Sequence, residues 1–255
     1  MSEQIRTDLM DSKVLDFPEE KHDLGDGRTI TGKSSVERVD GMTRLPFGPP
    51  IYVGKLANYV VHEVQSAIDK VRSDPERDFG DRLAGRIIEQ LNISDIVSDR
   101  VYGHLMLHTK NFLEGIETAT GYAADELLEN LKQQQLGVDA LWVNIQKAKE
   151  YNPPHVHDGM FSFVFYVQND IPYEEAIQNH YDNQKGQQLA GSLECRYGEH
   201  IWMNFSQFQH YPNVGDIIMF PSWLQHSVHQ FYQEDRERIS VAGNIQQFYP
   251  PTIEE

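Results

Sequence analysis

The chain has 255 residues, 39% of them hydrophobic, a single cysteine, and a formal charge of -17 from 39 acidic against 22 basic side chains. That length buries a core without staples, and the lone Cys195 excludes an internal disulfide and a cysteine-rich zinc site, which suits a reducing compartment. No stretch concentrates Lys and Arg enough to neutralise several phosphates, the first residues lack the apolar run of a signal peptide, and no segment reaches the ~18 apolar residues of a membrane span; the expectation is a cytoplasmic protein without nucleic-acid or membrane partners.

Residues 1–45 are polar and carry little periodicity ("KHDLGDGRTITGKSSVERVDG"), so they read as an extended or loosely ordered arm, one that could exchange between subunits of a homo-oligomer. "LPFGPPIYVGKL" places a short apolar run after a Pro/Gly cluster, which predicts an edge strand. From Lys55 to Arg72, the residues Leu56, Tyr59, Val60, Val64, Ile68 and Val71 recur at three- and four-residue steps and predict an amphipathic helix. "VYGHLMLHTKNFLEGIETA" and "AADELLENLKQQQ" predict two more. After about residue 138 the rhythm changes to short β-branched and aromatic runs separated by Pro, Gly, Asn and Asp: "VDALWVNIQKAK", "FSFVFYVQ", "GSLECRYG", "IWMNFSQF", "DIIMFPSW" and "RISVAGNIQQF". The fold class is therefore α+β, with a helical part over 46–137 and an antiparallel β-core over 138–250 that is a sandwich or barrel.

The β-part carries a candidate metal site. In "NPPHVHDGMFSFVFYV", His155 and His157 stand two residues apart, so on an extended chain both imidazoles project to one face, where they can chelate. A third ligand from a distant strand is offered by His226, at the end of "FPSWLQH", although an isolated histidine beside an apolar strand is more often simply hydrogen-bonded. Twelve residues on, Arg238 and Ser240 share a face by the same two-residue spacing. An inward guanidinium is costly without an anion, and its planar fork suits a carboxylate. Three ligands and one inward arginine describe a site for a metal and an anionic co-substrate; the competing reading makes Arg238 a surface residue paired within "QEDRER".

The pattern "HVH", "FPSWLQH" and "RIS" resembles that of the Fe(II)- and 2-oxoglutarate-dependent oxygenases, and within them a bacterial and phage group arranged as "WVN…H-x-H…FPSWL-x-H…RIS…N", here Trp142 to Asn244. The resemblance extends over about residues 45–250. It implies a double-stranded β-helix (jelly roll), with the N-terminal helices packed on its sheet, as one oxygenase domain over 46–255. It also implies Fe(II) held by His155, His157 and His226, and 2-oxoglutarate held through Arg238 and Ser240. One departure stands out: the position that holds Asp or Glu in the superfamily holds His157 here, and Asp158, next to it, is the alternative ligand. The resemblance further makes Asn144 a co-substrate residue, where a structural amide is the other reading. Tyr166 could donate to a co-substrate carboxylate or simply fill the core. Trp223 is expected to pack on the sheet, and the pair His104 and His108 to be structural. The polar insert "NDIPYEEAIQNHYDNQKGQQLAGS" resembles the loops that cover such pockets.

The function so implied is a dioxygenase hydroxylating a small molecule or a protein side chain, with release of succinate and CO2. A cupin-type metalloenzyme that uses three histidines and no 2-oxoglutarate, and a non-catalytic jelly-roll binding protein, are the rival readings.

Overall fold

The computed structural model describes residues 20–23, 29–32, 39–83, 85–121, 124–133, 135–177, 189–199, 201–202 and 205–248. The chain divides into two units, Met1–Arg38 and Val39–Glu255. In the first, strands β1 (Glu20–Asp23) and β2 (Thr29–Gly32) pair antiparallel. The rest of that unit lies outside the described residues, and with it most of the arm expected over 1–45.

In the second unit eight strands wind between two antiparallel sheets. Strands β6 (Leu136–Gln146), β8 (Phe161–Asn169), β11 (Asp216–Pro221) and β13 (Arg238–Gln247) lie in the larger sheet. Strands β7 (Asn152–His155), β9 (Leu193–Arg196), β10 (Gln207–His210) and β12 (Gln225–Val228) form the smaller one, in the order β10-β9-β12-β7. This alternation is the jelly roll. Strands β3 (Asp40–Arg44), β4 (Ile51–Lys55) and β5 (Glu89–Asn92) extend the larger sheet to seven, in the order β3-β4-β11-β8-β13-β6-β5. Helices α1 (Asn58–Val71), α2 (Asp99–Thr120) and α3 (Asp125–Lys132) follow the predicted patterns.

Both faces of the larger sheet are covered, which is why its strands read as nearly continuous apolar runs. The outward residues Val143, Ile145, Phe163, Phe165, Ile239 and Val241 pack with Val60, Val64, Ile68, Leu105 and Phe112 of α1 and α2. The inward residues Tyr166, Ile218 and Phe220 pack with Leu193, Cys195 and Val228 of the smaller sheet. Polar side chains at alternate positions of β6 and β13, namely Asn144, Gln146, Arg238 and Ser240, are buried as well. They face inward between the sheets, and the two-residue period puts them on one wall.

Two expectations are corrected. Ile51–Lys55 is not an edge strand: β3 pairs along it, and Pro46, Pro49 and Pro50 precede it, so no ladder donor is lost. "IWMNFSQF" does not start a strand; β10 begins at Gln207, while Ile201, Trp202 and Phe205 are exposed. Strand composition without a covering face misled that assignment. Strands β3 and β5, five and four residues long, are too short to carry a periodic signal.

At the start of β11, Asp216 joins β4 and the residue ending β10 through Lys55 Nζ at 2.5 Å and His210 Nε2 at 2.8 Å. Gly215, at φ 85°, makes the turn that brings it there. Burial raises the carboxyl pKa, but the hydrogen bonds from His210, Lys55 and the Asn213 backbone outweigh it and hold it down at about 2. The folded value lies below the ordinary one of 3.8, so the ionised group stabilises the fold above about pH 4 and that contribution is lost as pH falls toward 2. Urea unfolding at stepped pH is expected to show Asp216→Asn less stable than the parent at pH 6, with the difference shrinking between pH 4 and 2.

Candidate active site

The smaller sheet brings two of the three imidazoles together. β7 and β12 pair antiparallel with His226 opposite His155, and the two ring centroids lie 4.3 Å apart. β7 contains Pro153 and Pro154, which an edge strand tolerates, and β7 is the edge of its sheet. His155 Nδ1 bonds the Pro153 carbonyl at 2.7 Å, and His226 Nδ1 bonds the Leu224 carbonyl at 3.0 Å. A carbonyl can only accept, so each Nδ1 carries the proton and each Nε2 keeps its lone pair for a metal. His157 lies just past β7, its N–H donating to the Ser222 carbonyl at 2.9 Å. That bond turns the chain, and the third ring comes to 4.9 Å from His155 and 5.0 Å from His226. One ligand atom from each of the three falls within 4.8 Å of the others. Burial disfavours the charged forms: His155 is lowered, His157 held at about 4 by burial and then by His155, and His226 at about 3 by burial. At neutral pH all three are uncharged, the state in which imidazole binds metal. Asp158 is exposed and outside this group.

The larger sheet supplies the opposite wall of the same cavity, which is lined by the three histidines together with Trp142, Asn144, Arg238 and Ser240. Arg238 is 1% exposed. Its Nη1 donates to the Gly191 carbonyl at 3.2 Å, its Nε has no hydrogen-bond partner, and no carboxylate pairs with it among the described residues. The acidic neighbours that might have taken it are engaged elsewhere, since Glu237 is held by Arg72 and Asp235 lies against Arg236. Tyr166 lies behind the guanidinium, whose carbon is 5.5 Å from the ring centre. Burial pushes that phenol up to about 12, so it stays a neutral donor. An isolated buried cation costs several kcal/mol, and here the unpartnered Nε of Arg238, in the cavity wall, is available to an anion.

Some surrounding residues were not singled out by the sequence. The Ser162 hydroxyl donates to Asn244 Oδ1 at 2.8 Å and shares a hydrogen bond of 3.0 Å with the Ser222 hydroxyl, which steadies the turn that holds His157. A lone serine inside "FSFVFYV" was the available signal. Trp142 stacks on Phe79 at 6.1 Å and approaches His157 at 5.7 Å. Trp223, expected on the sheet, is instead 55% exposed with its edge toward Tyr197. His104 and His108 are buried with Tyr52, whose hydroxyl is 2.7 Å from His108 Nδ1, as the structural reading expects. His229 bonds Glu194 instead of joining the cluster. Cys195 is buried and its thiol pKa pushed up by burial, so it is no nucleophile. Residues 178–188 of the polar insert lie outside the described residues.

Fold and cavity define a jelly-roll protein with a candidate metal centre facing a buried guanidinium. Residues 140–244, a stretch that holds every candidate site residue, match the model of the family described as "Putative 2OG-Fe(II) oxygenase". No curated protein matches the sequence. Among solved structures, similarity is found to a prolyl-4-hydroxylase from Pseudomonas putida, at 12% identity over 76% of this chain and 89% of that one, with a TM-score of 0.46. It is also found to the non-heme alpha-ketoglutarate-dependent epimerase SnoN of nogalamycin biosynthesis, at 14% identity over 80% and 81% of the two chains, TM-score 0.49. A third is HygX from Streptomyces hygroscopicus, solved with nickel, 2-oxoglutarate and hygromycin B, at 12% identity over 78% and 83%, TM-score 0.43. No helix among the described residues is long and apolar enough to cross a membrane.

Proposed function

We propose that this chain hydroxylates a small molecule or a protein side chain, using Fe(II) held by His155, His157 and His226 and 2-oxoglutarate held by Arg238. The observation that carries this reading is the buried guanidinium with its Nε unpartnered, in the wall of the same cavity as three converging neutral imidazoles. The residues fit both groups. Free Nε2 lone pairs on His155 and His226 suit a divalent ion, and Arg238, with no carboxylate of its own, suits the distal carboxylate of a dicarboxylic acid.

Bound there, Fe(II) would supply the oxygen chemistry that side chains cannot perform. The protein's part is binding and orientation. Pro153 and Leu224 fix the tautomers of two ligands, and Ser222 holds the backbone of the third. Arg238 orients the co-substrate, with Ser240 on the same wall and Tyr166 behind it, and Asn144 offers its amide from β6. Three neutral imidazoles leave the full divalent charge unneutralised, which strengthens attraction for a dianion. In the net reaction one oxygen atom of O2 enters the substrate as hydroxyl and the other enters succinate, with CO2 released.

The test is succinate formation by protein loaded anaerobically with Fe(II) and then exposed to O2. Stoichiometric succinate supports the reading, and protein that neither binds nor consumes 2-oxoglutarate sinks it. The all-histidine ligand set favours one alternative, a cupin-type enzyme with no need for 2-oxoglutarate; metal-dependent O2 consumption that is indifferent to 2-oxoglutarate would mark it.

A further inference from the structure

Strand β5 lies outside the segment that matches the family, yet one of its side chains reaches the cavity. Gln90 stands opposite Asn144 in the β5–β6 ladder, and its Nε2 donates to Asn144 Oδ1 at 2.6 Å. Both side chains are buried, at 3% and 5% exposure, and both line the cavity. On its other side Asn144 stands opposite Ser240 of β13. Neither side chain makes another hydrogen bond among the described residues. A carboxamide has one accepting end and one donating end. With Oδ1 occupied by Gln90, the Nδ2 hydrogens are the end left for a ligand.

We infer that Gln90 is a positioning residue for the co-substrate: it fixes the Asn144 amide so that an N–H donor, and not a carbonyl, meets a carboxylate oxygen of 2-oxoglutarate. This rests on the oxygenase reading above. The wrong end of the amide would set a lone pair against an anion, so orientation decides whether Asn144 helps or hinders binding. No residue of β5 touches the metal ligands in this scheme; Gln90 acts only through Asn144.

Gln90→Glu reverses the arrangement, because a carboxylate can only accept and draws the Asn144 NH2 toward β5. Gln90→Leu removes the bond and leaves both orientations open. Calorimetric titration of 2-oxoglutarate into Ni(II)-loaded protein reads the effect without turnover. The expected result is a Kd raised roughly tenfold or more by Gln90→Glu and severalfold by Gln90→Leu, with Ni(II) affinity unchanged and both effects gone in an Asn144→Ala background. Unchanged Kd in both folded variants overturns the inference. So does a Gln90→Glu effect that persists with Asn144→Ala, which would mean direct repulsion by the new charge. Failure of the parent protein to bind 2-oxoglutarate removes the oxygenase reading and this inference with it.

Discussion

Arg238→Met is expected to abolish the response of the metal-loaded protein to 2-oxoglutarate and, in its absence, to leave the fold as stable as the parent or more so. The two effects have one cause. Arg238 is buried with no carboxylate partner, and burial lowers its pKa, the sign of a charged form at a disadvantage. Replacing buried ionic groups with apolar side chains of similar volume is often neutral or stabilising by about 1–4 kcal/mol. Methionine matches the length and flexes into irregular space. A dicarboxylate that pairs with Arg238 compensates its desolvation, so the parent should melt at a higher temperature with saturating 2-oxoglutarate. Losing a charge-assisted, bidentate contact should weaken binding by roughly two orders of magnitude or more. Thermal melting with and without 2-oxoglutarate, on Ni(II)-loaded parent and variant, checks both. A variant that melts far below the parent yet keeps its shift would show Arg238 to be a packing residue.

Each of His155→Ala, His157→Ala and His226→Ala is expected to weaken Fe(II) binding by about two to three orders of magnitude, and Asp158→Ala to leave it within about twofold. A structural four-ligand zinc site commands roughly 10–16 kcal/mol, and on that scale one ligand's share is about 2.5–4 kcal/mol. The three histidines present ligand atoms within 4.8 Å of one another, and Asp158 is not among them. Its exposed carboxylate acts on His157 only through its charge, against the effects of burial and of His155. Anaerobic titration against a competing chelator measures each affinity. Near-parental binding by His157→Ala together with a large loss in Asp158→Ala would move the third ligand one residue along.

How much of this was legible beforehand varies with the physics. The Arg-x-Ser spacing put Arg238 and Ser240 on one face because a strand has a period of two, and both line the cavity. The His-x-His spacing suggests two rings on one strand face, but a turn is what brings them together. β7 ends at His155, and His157 is brought round by its bond to the Ser222 carbonyl. A turn held by a residue 65 positions away leaves no local trace. The helices were readable because α1 and α2 each bury one stripe. β5 was not, since four residues with no alternation carry no signal, and Gln90 went unnoticed with it. The place of Trp223 directly after the Pro break suggests packing on the sheet, but exposure of an aromatic is settled by what covers it.

The end of α1 bears on all this from a distance. Arg72 grips Glu237 through two nitrogens, at 2.7 and 3.1 Å, and also holds Glu89 of β5 at 2.9 Å. Glu237 is the acid next to Arg238 in the chain, and strand alternation sends the two side chains to opposite faces. With that acid engaged on the helix side of the sheet, the positive charge inside has no carboxylate partner among the described residues. The sheet thus works as a partition: Arg72 meets its acids on the helix side, and Arg238 keeps its charge on the other.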